Sequence, residues 1–461
     1  MNFPRRLRRL VVAVAVAVVA LPGIPALASG PAERVRPLDG RTLGWYEPAD
    51  EQGRRLELIL RNSSRYLIGP WYAQTYRRYA EDGYLDLGGT DERAVRLPAM
   101  TALTTATALK LGAYDPKNLS AANATIRLTN LVRTLAARHK ANNPNPATAW
   151  GSNWQSALWA YYDGAAAWLM WDQLSAADRS KVTAMLVAEA NRLTTGNDVY
   201  LVGTSGDQLY QTKRDGTVIT PGDTKAEENS WSAALLGLVS AMMPTNPNAG
   251  AWQRRNAELL VASAPRPADL TNPAVINGIR LSTWLQGTNI DDDGILRNHN
   301  RVHPLYMVSY DQNLYQGAIS ALGRTCAPAA ALHNLPLVYR ALVDRPFDGK
   351  TIYTRGSADI HYPEGNDWGT EFPFYFGNFD FLAALYGQDS QSSVKAGEWE
   401  RLHNEKQLAM QARFTDGRTY GAHGENTYYG REQRIGVMAG QAYLSLWMAR
   451  NSQGSKVCWV P

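Results

Sequence analysis

The densest group of reactive side chains lies in the run from Asn289 to Tyr306, where His299, His303 and Tyr306 stand among Arg297, Asn298 and Arg301. Two of the seven histidines fall in this stretch. Imidazole titrates near neutrality, so two of them beside a phenol suit proton transfer to and from a bound substrate. Pro304 keeps His303 out of helical geometry and pre-sets the first turn of a following helix. That puts His303 near an N-cap and Tyr306 in the opening turn. A phenol, with an ordinary pKa of about 10, works as a base only where its anion is favoured, and a helix terminus with Arg297 or Arg301 would supply that. A plainer reading stands beside this one: the histidines bond loop backbone and Tyr306 packs.

Three further windows carry polar groups. In 221–231, Thr224 and Glu227 have the spacing of a capping box, which makes Glu227 a structural residue. Glu228 and Asn229 follow, then Trp231 at the mouth of an otherwise apolar helix. The Asn229 amide could neutralise a substrate carboxylate without titrating. In 359–371, Glu364, Asp367 and Glu371 flank glycines, and Trp368 could stack on a sugar ring, although turn chemistry explains the same residues. The Gly-rich run 416–426, with Arg418, Tyr420 and His423, reads more readily as a loop. Trp150, Asn153 and Trp154, with Trp159, form an aromatic group suited to sugar subsites, with core packing as the alternative for Trp159.

Several chemistries are unsupported. The sequence has no phosphate loop, no dinucleotide fingerprint, no Gly-x-Ser-x-Gly elbow and no His-Glu-x-x-His helix. No zinc-ligand spacing occurs, and Asp291-Asp292-Asp293-Gly294 lacks the remaining ligands of a calcium loop. Neither a cofactor nor a metal is expected.

The elements that must position these residues are helical. The clearest are 153–171 and 176–193, the second opening on a Ser175-to-Asp178 cap. Others are expected at 51–68, 94–112, 118–140, 225–243, 249–264, 304–322, 326–343, 373–387, 394–413 and 431–449. Period-2 alternation is scarce, and 197–220 is expected to hold a small hairpin. Some of these helices, such as that after Trp231, are apolar nearly all round, as in a ring whose members touch neighbours on both sides. The expected class is all-α: an (α/α) toroid, or incomplete α/α barrel, of about a dozen helices in antiparallel pairs. Loops between the pairs would gather into a cleft at one end.

The 461 residues carry a formal charge of +5, and four of those charges are Arg5, Arg6, Arg8 and Arg9. These arginines, the apolar run Leu10–Ala20 and the small-residue site Ala26-Leu27-Ala28 form a signal peptide over residues 1–28, compatible also with the twin-arginine route. The mature chain, 29–461, reads as a single catalytic domain with charge +1. That disfavours nucleic-acid binding by bulk electrostatics, and no later segment reaches membrane-spanning length without charges. A secreted monomer is expected, free of the membrane once the signal is cleaved. Cys326 and Cys458 are the only cysteines, both in the exported part, and are expected to pair. With 14 Trp and 23 Tyr against 8 Phe, the aromatics favour rings with polar edges, which suit wet, sugar-lined clefts.

The order of an Asn-Trp helical hairpin, a helix-opening Asn229, then Asp293-Gly294 followed by His299 and Tyr306 resembles the α/α-toroid polysaccharide lyases of the hyaluronate, chondroitin and heparinase kind. The likeness spans about residues 90–390 and is one of architecture and motif order. It implies that Asn229 neutralises a uronate carboxylate, that His299 or Tyr306 takes the acidic proton, and that Tyr306 protonates the leaving oxygen. His303 competes with His299, and the chain is short for the β-sandwich domains such enzymes append. The expected activity is β-elimination on an acidic polysaccharide or oligosaccharide. Two alternatives remain: an inverting glycoside hydrolase drawing on Glu228, Asp292, Asp293, Glu364, Asp367 and Glu371, and a non-catalytic glycan-binding protein.

Overall fold

Side chains with a short acceptor start the helices. Asp50 caps Glu51–Tyr66 (α1) through Gly53 N at 2.7 Å, and Asp91 caps Glu92–Lys110 (α2) through Ala94 N at 3.0 Å. Ser120 opens Ala121–Ala137 (α3). Ser156–Leu169 (α4) is followed by Ala176–Thr194 (α5), whose cap Ser175 accepts from Asp178 N at 3.1 Å, as the sequence spacing foretold. The remaining long elements are Ala226–Met242 (α6), Ala249–Ser263 (α7), Gln316–Leu322 (α8), Leu335–Asp344 (α9), Pro373–Leu385 (α10), Ala396–Gln411 (α11) and Arg431–Arg450 (α12). The computed structural model describes residues 34–38, 43–44, 46–195, 209–421, 423–450 and 456–461. The expected signal peptide and part of the expected 197–220 hairpin lie outside them.

The protein is mostly helical, and its strands, among the described residues, are two-residue ladders. One belongs to the 197–220 region: Thr212–Lys213 pairs antiparallel with Gly287–Thr288. Two expected helices differ. The 304–322 segment is broken into Pro304–Met307, a 3-10 turn Val308–Tyr310, Asp311–Leu314 and α8. The 326–343 segment becomes α-helical only at Leu335, after a 3-10 turn at Ala329–Leu332, because Ala327–Pro328 pairs in parallel with the C-terminal strand Trp459–Val460. Pro328 and that pairing hold the backbone extended.

Six segments carry the core. α2 packs on α4, α4 on α6, α6 on the 304–322 segments, those on α10, α10 on α12, and α12 on α2. Each also packs on a neighbour in sequence or space: α3, α5, α7, α9, α11 and α1 respectively. All of α4 is buried, as is Gln433–Met448 of α12, so contact on every side explains helices without a polar face. The described residues from Arg34 to Pro461 form one compact unit. No described helix is long and apolar enough to cross a membrane.

The Cys326–Cys458 disulfide is formed and ties the tail to the body across 132 residues of chain. Closing so long a loop restricts the unfolded chain, worth about 3–5 kcal/mol in the entropy model. Cys458→Ser is therefore expected to lower the unfolding free energy by about that much, measured by urea denaturation of the oxidised wild type and the variant.

Candidate functional site

The site is organised by a two-residue hairpin. Arg297–Asn298 pairs with Arg301–Val302, and the connecting His299 and Asn300 both take positive φ, 50° and 61°. That is the pattern of a type I′ turn, easy for asparagine and costly for histidine by about 1 kcal/mol. The hairpin rests on Gly222, where a Cβ would come within 2.6 Å of Asn300 Cα, and Asn300 N donates to Gly222 O at 2.9 Å. Pro304 opens the next short helix with His303 in extended geometry before it and Tyr306 in its single turn, as expected from the sequence.

Asp367 joins the two imidazoles. Its Oδ2 lies 2.5 Å from His299 Nδ1 and its Oδ1 lies 3.2 Å from His303 Nε2. Burial works to raise the Asp367 pKa, but the hydrogen bonds from His299 and His303, with the charge His299 carries when protonated, outweigh it and hold the carboxyl below its ordinary range. An ionised carboxylate only accepts, so both ring nitrogens donate to it. In its neutral form His299 then has its lone pair at Nε2, and Tyr306 OH stands 3.1 Å from that atom. His303 is buried, and desolvation lowers its pKa to about 4 against the pull of Asp367, so it stays neutral near pH 7.

Tyr306 differs from the base the sequence allowed. Burial, then the nearby charge of Glu227, pushes its pKa well above 10. The helix it opens is only four residues long, and Arg297 is exposed and spent on Glu364 at 3.0 Å. Arg301 donates through Nε to the His299 carbonyl at 3.3 Å, holding the turn. Tyr306 is thus a proton-bearing phenol beside an imidazole acceptor.

These groups open on a cleft of about 230 Å³ lined by His299, Tyr306, Trp154, Trp231, Trp368, Tyr428, Glu92, Arg96, Glu227 and Arg434, among others. Trp368 stacks on Tyr306 with ring centroids 5.8 Å apart, and Trp154 lies 5.7 Å from Trp231. Trp154 is 40% exposed and offers its ring to the cleft, whereas Trp231 lines the cleft with its indole N–H buried and without a partner.

Several expected site residues lie elsewhere. Asn229 is fully buried and spends its amide on the carbonyls of Leu209 and Ala262, both at 2.9 Å, so it does not line the cleft. Trp150 is sealed in the core with its indole N–H on Leu135 O, and Trp159 is buried too. Asn153 shapes the turn into α4, its carbonyl accepting from Ser156 Oγ. Glu228 is drawn to Lys225, 3.5 Å away. Glu364 accepts from Val302 N and Arg297, bracing the hairpin. Asp292 accepts from Ala268 N, Asp293 pairs with Arg345, and Glu371 pairs with Lys406, none of them among the cleft's lining residues.

Several lining residues were not singled out as site residues in the sequence, Glu227, Arg96 and Arg434 among them. Glu227, read there as a cap, is not one: α6 starts at Ala226 with Lys225 as its cap residue, and Thr224 Oγ1 donates to Asn289 O. Glu227 Oε1 instead accepts from Asn298 Nδ2 at 3.2 Å, while Oε2 is buried without a partner. Arg96 and Arg434 arrive from α2 and α12. Arg96 pairs with Glu92, lies over the Tyr428 ring and bonds Gln155 and Tyr429 O, while Arg434 bonds Tyr162 OH and lies 3.7 Å from Asp311. An arginine within a buried helical run was the available signal in both cases.

No protein-family model matches the chain, and no curated protein and no solved structure matches it. The site therefore has to be read from its own geometry.

Burial, and then the charge of Glu228, raises the Glu227 pKa well above its ordinary 4.5. A carboxyl that holds its proton more tightly when folded stabilises the fold fully below its unfolded pKa, and that contribution is lost as pH rises toward the folded value. Stability of the wild type is expected to fall from about pH 4.5 upward, by at most about 1.4 kcal/mol per pH unit from this group. Glu227→Gln is expected to flatten that slope, measured by denaturant unfolding at a series of pH values.

Proposed function

We propose that this protein is a secreted carbohydrate-active enzyme that cleaves an acidic, uronate-containing glycan by β-elimination, on a catalytic domain built as an (α/α) toroid. The cyclic packing order of α2, α4, α6, the 304–322 segments, α10 and α12 supports the toroid, with the cleft at the end where α6 begins. Export is supported by the sequence of residues 1–28 and by the disulfide, which persists in oxidising compartments.

The observation that carries the activity is the 3.1 Å contact between Tyr306 OH and His299 Nε2 at a cleft lined by tryptophans and two guanidinium groups. Elimination needs the carboxylate neutralised, a base for the proton beside it and an acid for the leaving oxygen. In this reading Asp367 sets the His299 tautomer, and His299 Nε2 removes the proton. Tyr306, which keeps its own proton, delivers it to the leaving oxygen. Arg96 and Arg434 replace Asn229 as the groups that neutralise the carboxylate, since guanidinium is always charged and matches its fork. Trp154, Trp231 and Trp368 provide stacking faces for flanking sugars.

A glycoside hydrolase remains as the second reading because Glu227 holds a proton in the same cleft as the carboxyl of Glu92, an acid and a base of the kind inverting hydrolysis uses. A panel of acidic and neutral polysaccharides, read for both ultraviolet absorbance and reducing ends, separates them. Cleavage is expected to produce an unsaturated, ultraviolet-absorbing end. Tyr306→Phe is expected to abolish that product, by at least about 100-fold for loss of a general acid, with an unchanged circular dichroism spectrum. Reducing ends without absorbance transfer the chemistry to the carboxyl groups, and undiminished turnover in the variant removes Tyr306 from the mechanism.

A further inference from the structure

Asp367 holds the two imidazoles in a cluster whose donor atoms all lie within 4.8 Å of one another. It draws on one hairpin turn, one helix N-cap and a loop 64 residues further on. We propose that His299, His303 and Asp367 form a binding site for one divalent transition-metal ion, zinc by preference, and that its occupation silences the His299 base. The second half rests on the function proposed above; the binding does not.

Two imidazoles and one carboxylate are donors for zinc and its neighbours rather than for calcium or magnesium, which require oxygen shells. Ligands of tetrahedral zinc sit about 2.0–2.2 Å from the ion, hence roughly 3.3 Å from each other. The two contacts to Asp367, at 2.5 and 3.2 Å, are already near that scale. His299 is on the partly exposed hairpin turn, so rotation of its ring can open the space, while His303 is buried in place. Three protein ligands leave one position for water or a ligand oxygen.

The proton count gives the consequence. Without metal, Asp367 accepts His299 Nδ1–H and His303 Nε2–H. An ion in their place takes the lone pair of each of these nitrogens, so each neutral ring carries its proton on the far side. For His303 this is Nδ1, which is buried without a partner, making the site weaker than a structural zinc site. For His299 it is Nε2, the atom that faces Tyr306. A protonated Nε2 has no lone pair with which to accept a substrate proton.

Equilibrium dialysis of the purified, untagged chain against zinc chloride, with bound metal counted by mass spectrometry, is expected to give one ion per chain. His299→Gln and Asp367→Asn are expected to weaken binding by at least about tenfold, with circular dichroism showing both folded. His299 is the partly exposed ligand, so its variant tests the site without emptying the core. No saturable zinc, or wild-type affinity retained in either variant, overturns the site. Nitrogen NMR of labelled histidine, which needs no substrate, is expected to show the His299 proton moving from Nδ1 to Nε2 on adding zinc; bound zinc with the proton unmoved overturns the silencing. Failure of the polysaccharide panel leaves both results standing, so the two proposals fall separately.

Discussion

The Asp367 carboxylate is the constraint on which the site depends. It is pulled below its ordinary pKa by the two histidines it joins, and in return it decides which nitrogen of each ring carries a proton. Without it, nothing in the structure would favour a lone pair at His299 Nε2, and the turn that places His299 at positive φ would have one restraint fewer. The strain of a histidine in that backbone region is borne by the ladder between Arg297–Asn298 and Arg301–Val302, by Glu364 on Val302 N, and by the close fit of Gly222 beneath Asn300. Such strain is characteristic of sites where precise aim matters more than local stability.

Burial divides the roles of the other polar groups. The same desolvation that lowers His303 raises Tyr306 and Glu227, so the interior side of the cleft holds a neutral imidazole, a phenol and a carboxyl that resist ionising. Arg96 and Arg434 are the cations among these, and they come from helices that meet only because α12 packs back on α2. Local sequence could not suggest their meeting: more than 300 residues separate them along the chain.

Much of the helical framework was legible, and the reasons are specific. Ser175 and Asp178 announce the start of α5, Pro304 marks a break and a restart, and a chain with only two cysteines leaves each a single partner. The exception at 326–334 arises because a strand pairing with residues 459–460 overrides an apolar helical pattern, a contact invisible to local periodicity. The site was legible at 297–306 and at 367–368, where reactive residues are dense. It was misread on α6, where Glu227 rather than Asn229 faces the cleft.

That error shows where sequence stops. By itself the sequence determined the helices, the cysteine pair and the local geometry around His303, Pro304 and Tyr306, because caps, proline and apolar period act over a few residues. Only the tertiary structure decided which polar side chains share a space. Along α6 nearly every side chain is buried, so no solvent face betrays its orientation, and two positions apart on a helix means roughly opposite sides. Neighbours on other helices alone determine that Glu227 looks into the cleft while Asn229 holds two carbonyls in the core.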